Sequence, residues 1–271
     1  MPSVTTTDGV RLDYTESGAP SGRAVVLLAG FKAAATTWLF QVPALEAAGY
    51  RVLAVDLRGH GTSERPDFGH SMARRGADVH DVLEALDLRG VVLVGQSMGG
   101  NTVWAYLQQF GASRVAGVVI VDQTPQMLNT ADWPHGFYGY DETNVDTYFA
   151  AGIPPTGHGT PIWRRGRRLG RLLRALRSAP KQSRELNAGE LQLLSDHAHK
   201  NWRPQIADVA VPTLFIAGGE SEVWPSSHAA AAAALTVNAS SAVIPHAGHA
   251  TNIEQPDEFN RLALDFIATL K

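Results

Sequence analysis

The sequence predicts an α/β protein built on a mostly parallel, doubly wound sheet with helices on both faces and an inserted helical segment. Three observations lead there. Short unbroken aliphatic runs recur along the chain, as in strands buried on both faces of a parallel sheet. Stretches with apolar residues at helical spacing lie between them, the alternation that crossover connections require. The alternation stops after Asp122 and resumes near Val211, so an insertion divides one sheet.

The elements follow in order. Residues 4–6 and 10–14 flank Asp8-Gly9, a favoured turn pair, and read as a hairpin. Aliphatic runs at 24–28, 52–55, 91–94 and 115–121 read as buried strands. Helical spacing covers 38–48, 72–86 and 99–110. Beyond the insertion, a strand is expected over 211–216, a helix over 228–235 and a strand over 242–244. The alanine run 229–234 suits a helix at the surface or edge, alanine being the best helix former. An amphipathic helix is expected over 257–270.

Composition agrees with that architecture. The 271 residues are 44% hydrophobic and 18% charged, ordinary for a globular protein with a core of normal size. They fit one α/β core, formed by residues 1–124 and 205–271, with a cap at 125–204. The formal net charge of -3 supplies no global field to recruit nucleic acid or an anionic membrane. The lack of cysteine excludes disulfides, thiolate chemistry and cysteine-ligated metal. No apolar run approaches the roughly 20 residues that span a bilayer. Residues 1–5 do not read as a secretory signal, so a cytoplasmic address is expected.

The chemistry-bearing motif is Gly95-Gln96-Ser97-Met98-Gly99-Gly100, behind an aliphatic strand and ahead of a helical pattern. It is a Gly-x-Ser-x-Gly elbow in its expected setting. The small residues relieve crowding at a sharp turn, Ser97 stands clear at the helix start, and the Met98 amide points where an oxyanion would develop. A dinucleotide-binding glycine loop is the rival reading, but Ser97 occupies the place of its second glycine. No cofactor is expected. A serine hydroxyl needs a base, which comes late in chain order in this arrangement. His249 qualifies, with Gly248 before it and Glu254-Gln255-Pro256 after it; His246 is its competitor.

Taken together, Gly30-Phe31, Asp56-Leu57-Arg58-Gly59-His60-Gly61, the elbow, and Gly-His with Glu-x-Pro resemble the α/β-hydrolase superfamily over nearly the whole chain outside the insertion. The resemblance implies a second oxyanion donor from the Phe31 amide, although Ala29 stands where many relatives carry histidine. It implies a Ser–His–acid triad. The usual acid position, four residues before Pro225, holds Ser221, with Glu220 and Glu222 beside it. An alternative family position is the end of the strand that follows the nucleophile helix, where Asp122 stands after four aliphatic residues. An ionised group in such a place is unusual unless paired. Asp122 is therefore the expected acid, with Glu220 or Glu222 as alternatives and a helix cap as the structural reading of Asp122. The 56–61 segment reads as a structural turn with Arg58 able to pair Asp56.

Aromatic residues crowd the insertion: Trp133, Phe137, Tyr138, Tyr140, Tyr148, Phe149, Trp163 and Trp202. They line an apolar pocket or pack the cap onto the sheet. Trp38, Gln96, Trp133 and Tyr138 are the pocket candidates. The arginine-rich run 164–177, with leucines at helical spacing, reads as a solvated helix face, a site for an anionic substrate or acidic partner, or a membrane-docking face. Asp196-His197-Ala198-His199 does not read as a metal site, because two histidines two apart on a helix diverge. The expected activity is a serine hydrolase acting on a small ester, lactone or related acyl substrate, apolar or aromatic, with an anionic group allowed. Cofactor-free dioxygenase or carbon–carbon bond hydrolase chemistry on the same fold is the alternative, and a non-catalytic ligand receptor is the third reading.

Overall fold

The computed structural model describes residues 1–180, 183 and 185–271. Positions 181, 182 and 184 of the expected 125–204 insertion lie outside the described residues. An 8-stranded sheet forms the centre, in the order β1-β2-β4-β3-β5-β6-β7-β8. Its strands are β1 (Ser3–Thr5), β2 (Arg11–Gly18), β3 (Ala24–Leu28), β4 (Arg51–Val55), β5 (Val91–Gln96), β6 (Val115–Val121), β7 (Thr213–Gly218) and β8 (Ala239–Ile244). The hairpin strand β2 is antiparallel to β4, and the pairs from β4 to β8 are all parallel.

Side-chain alternation along these strands divides the core in two. Val26, Leu28, Leu53, Val55, Leu93 and Ile120 face one side. Val25, Leu27, Val52, Ala54, Val92 and Val94 face the other. The first side is covered by α2 (Met72–Ala85), α3 (Met98–Phe110) and α7 (Ser227–Ala233). The second is covered by α1 (Val42–Ala47) and α8 (Pro256–Ala268). Burying strands on both faces explains their unbroken aliphatic character, each side chain contributing about 1.5–3 kcal/mol.

Three boundaries differ from expectation. The 38–48 pattern is two pieces, a 3-10 turn Ala35–Trp38 and then α1, whose first turn holds Pro43. Proline lacks the N–H that a continuous helix would use and suits a helix start. The second hairpin strand runs on to Gly18, because its far half pairs with β4. At the sheet edge β8 begins at Ala239, three residues early; its exposed Ser240 and Ser241 carry no apolar signal.

The chain leaves the sheet at Asp122 and returns at β7. Between them lie α4 (Arg167–Ser178), α5 (Ala188–Ala198) and α6 (Arg203–Ala207). Trp133, Phe137, Tyr140, Phe149 and Trp202 are buried and join the first core cluster, whereas Trp163 is exposed. Most of that aromatic enrichment therefore packs the segment onto the body. Among the described residues no helix is long and apolar enough to cross a membrane.

Candidate active site

Ser97 occupies the bend between β5 and α3, with φ 53° and ψ -132°. A side chain in that region of backbone space stores about 1–3 kcal/mol of strain. The surrounding glycines make the bend sterically feasible. A Cβ on Gly95 would lie 2.4 Å from the Gly99 carbonyl oxygen, and one on Gly99 would lie 2.2 Å from that of Leu28. A Cβ on Gly30 would meet the Gln96 side-chain oxygen at 2.6 Å and Ser97 Cβ at 3.0 Å. Phe31 thus enters the site on a backbone that touches the elbow. Met98 is the first residue of α3, so its N–H is among those a helix leaves without an internal partner.

His249 lies in the loop after β8. Its Nε2 is 2.9 Å from Ser97 Oγ and its Nδ1 is 2.8 Å from Asp122 Oδ2. Neighbours hold this residue by its backbone as well. Gln96 Nε2 donates to the His249 carbonyl at 3.1 Å, and the His249 N–H donates to Glu222 Oε2 at 2.7 Å. The Trp224 ring stands edge-on to the imidazole at 5.2 Å.

Asp122 is fully buried at the end of β6, with φ 42°. Its Oδ1 accepts the Gly218 N–H at 2.8 Å and lies 3.5 Å from Nε2 of the buried His228. Its Oδ2 accepts the Ser221 hydroxyl at 2.6 Å besides facing His249. Burial alone would raise this carboxyl; the close His228 ring and the hydrogen bond with His249 outweigh it and hold the pKa at about 2. Ser221, at the position where the resemblance places an acid, donates to the carboxylate that stands elsewhere. Ser221, His228 and Trp224 were not anticipated. The unusual serine at 221 was a signal for the first; nothing local marks the others.

Glu220 and Glu222 do not meet the imidazole of His249. Glu220 faces Thr160, His246 and Arg168. Glu222 pairs with Arg165 and takes only the backbone N–H of His249. His246 is turned to Glu220, its Nδ1 2.8 Å away.

A cavity of about 370 Å³ opens over Ser97 and His249. Phe31, Thr37, Gln96 and Ile253 form its floor and sides, and Leu169, Leu172 and Leu176 of α4 form its roof. Of the four pocket candidates, only Gln96 is there. Trp38 is fully buried in the second core cluster, 6.4 Å from the Phe259 ring, because the 3-10 turn points it into that core. Trp133 is buried and donates to Thr124 Oγ1 at 3.1 Å. Tyr138 stacks on His158 at 3.6 Å, its backbone N–H bound to the Val223 carbonyl. The leucines read as one stripe of a cap helix supply the apolar wall instead.

Two further expectations need correction. Arg58 does not pair Asp56: its guanidinium binds buried Asp78 at 2.6 Å and Asp8 at 3.0 Å. Asp56 accepts instead from the Ala35 and Thr62 N–H groups, at 2.6 and 2.9 Å. Nor do the inner arginines of the basic run await an anion. Arg165, Arg168 and Arg171 pair with Glu222, Glu220, Glu254 and Asp257. No metal-holding cluster occurs among the described residues, those of 196–199 included.

A family model described as alpha/beta hydrolase fold matches residues 23–256. The chain is 32% identical to a putative non-heme chloroperoxidase of Synechocystis sp. over 94% of each chain. It is 31% identical to a non-heme haloperoxidase of Rhodococcus erythropolis over 98% of this chain and 99% of the other. Among solved structures, a bromoperoxidase from Bacillus anthracis superposes with TM-score 0.80 at 27% identity, covering 98% of this chain and 99% of that one.

Proposed function

We propose that this chain, which belongs to the alpha/beta hydrolase fold family, is a serine-nucleophile hydrolase of ester, lactone or related acyl substrates. The observation that carries the reading is the unbroken line from Ser97 Oγ through His249 to Asp122, with contacts of 2.9 and 2.8 Å. In the proposed mechanism His249 Nε2 takes the Ser97 proton as Oγ attacks the substrate carbonyl carbon. The Met98 and Phe31 amides donate to the oxyanion. The imidazolium then protonates the leaving oxygen, leaving an acyl-serine. Water, deprotonated by the same nitrogen, attacks the acyl carbon and releases the acid, and Ser97 recovers its proton. Asp122 stays ionised, holds the Nδ1 proton and stabilises the imidazolium. No cofactor takes part in these steps.

The segment 125–204 acts as a cap in this reading, with α4 as the roof of the substrate site. The apolar roof and the pairing of the nearby arginines favour a neutral, apolar acyl or alcohol group over an anionic one. The test is labelling with an organophosphonate, mapping of the adduct, and turnover of aryl esters of graded chain length. An adduct at Ser97 and loss of turnover in Ser97→Ala are expected. Full turnover by that variant would sink the proposal.

The names of the similar proteins favour one second reading on the same residues. Hydrogen peroxide, taking the place of water at the acyl-serine, would release a peracid and free serine, and the peracid would oxidise halide. Halogenation that needs both peroxide and a carboxylic acid, and that is lost in Ser97→Ala, would support it.

A further inference from the structure

The arginine-rich run, Glu220, Glu222 and Glu254 all surround the loop that carries His249, and the proposed reaction uses none of them. Their contacts form one connected system. Arg165 Nη2 pairs with Glu222 Oε1, and its Nη1 lies 3.2 Å from Glu254 Oε1. Arg168 Nη1 lies 2.9 Å from Glu220 Oε2, 3.4 Å from Glu254 Oε2 and 2.6 Å from the His246 carbonyl. Arg171 Nη1 donates to the Glu254 carbonyl at 2.7 Å. Glu254 is fully buried, so its charge needs these partners. Gly248 sits inside the system: a Cβ there would fall 2.6 Å from Glu254 Oε1 and 2.9 Å from each Glu222 oxygen.

The connection to His249 itself runs through Glu222. Glu222 holds Arg165 with Oε1 and the His249 backbone N–H with Oε2. Arg165 stands just before α4, whose leucines roof the cavity. The seat of the roof and the place of the imidazole therefore share one carboxylate.

The geometry points to Glu222 as a positioning residue: clamped by Arg165, it fixes His249 through the backbone N–H and couples the roof helix to the base. This inference rests on the reading of Ser97 and His249 as nucleophile and base. The clamp makes full alignment of His249 conditional on the roof being seated. A displacement of about 1 Å at such a base costs up to about a hundredfold in rate. Glu222 touches no reacting atom, so its effect falls on the rates of the steps in which His249 moves a proton.

The test uses the whole chain with Glu222→Ala, Glu222→Gln, Arg165→Met and the double variant Arg165→Met/Glu222→Gln. Each is measured for ester turnover, for the rate of Ser97 labelling by an organophosphonate, and for melting temperature. Glu222→Ala should lower kcat and the labelling rate together by about tenfold to a hundredfold, with KM changing much less. Glu222→Gln keeps one oxygen for the His249 N–H but loses the charge that holds Arg165. It should fall between wild type and Glu222→Ala, and it carries the test should the alanine variant not fold. The double variant should lose less than the two single losses combined, because both break the Arg165–Glu222 link, while Arg165→Met also takes a partner from Glu254. Wild-type kcat and labelling in folded Glu222 variants, or strictly additive losses in the double variant, would overturn the inference. Failure of the wild type to label at Ser97 would instead overturn the nucleophile assignment on which it rests.

Discussion

At the scale of the residue, the acid is the most informative position. A buried carboxylate is tolerated only when its lone pairs are satisfied, and Asp122 meets Gly218, Ser221 and His249 within 2.8 Å. Under the proposed mechanism Asp122→Asn keeps the shape but removes the charge and the preference for the productive tautomer. It should lower kcat by about a thousandfold or more while leaving KM near wild type. Ser221→Ala removes one neutral donor from the same oxygen and should cost no more than about tenfold. Steady-state kinetics on one aryl ester separates the two, and equal losses would count against the assignment of Asp122 as the acid. With its carboxyl held at about 2, Asp122 is ionised across the working range. The acid limb of a pH–rate profile should therefore not report Asp122. A limb that moves with Ser221→Ala would contradict this.

At the scale of the element, two features turn packing into site geometry. The β5–α3 bend works only because helix and strand approach backbone to backbone. Gly99→Ala would drive a methyl group to 2.2 Å from the Leu28 carbonyl oxygen. The helix would have to shift, at about 1–3 kcal/mol, and with it the Met98 amide. A lower melting temperature together with lower kcat is the expected result; unchanged values for both would show that the bend has slack. The second feature is α4. Its leucines line the cavity, so Leu172→Trp should shorten the preferred acyl or alcohol chain, read as a shift in kcat/KM across an ester series. A preference that stays unmoved would place the substrate elsewhere. The helical spacing of those leucines was legible in the sequence. Which side of the helix met the active site was not, because the partner surface comes from Phe31, Thr37 and Ile253, far away along the chain.

At the scale of the whole molecule, stability against acid follows from buried imidazoles. Burial, with Arg75 nearby, pushes His60 and His197 down from 6.5 to about 3. Between those values the unfolded chain binds protons that the folded one refuses, so stability falls as the pH is lowered through that window. Asp122, ordinarily near 3.8 and held at about 2, adds a further loss as the pH falls between those two values, because its carboxylate protonates first in the unfolded chain. The melting temperature should drop progressively from about pH 6.5 downward, and His197→Leu should make the slope shallower between about 6.5 and 3. An unchanged slope would mean that the ring takes up its proton without unfolding.

Some of this protein was written locally. Unbroken aliphatic runs marked the buried strands, because a strand covered on both faces has no polar side. The glycines around Ser97 marked a sharp bend, and Gly248 singled out His249 over His246, while the lack of room for a Cβ at Gly248 emerged only in the folded chain. The start of the edge strand β8 left no mark, because its exposed serines carry no burial signal. Other features depended on distant parts of the chain meeting. Asp122 and His249 are 127 residues apart in sequence and Asp122 and Ser221 are 99, so which carboxylate reaches the imidazole follows from β6 and β7 being neighbours in the sheet. The arginine run could be read as a solvated face, an anion site or a membrane face, because the four carboxylates that pair with Arg165, Arg168 and Arg171 come from other parts of the chain. Local sequence reports what each segment can bury, whereas contacts between charged groups depend on strand order and on how the segment after β6 folds back, and these arise only when the whole chain packs.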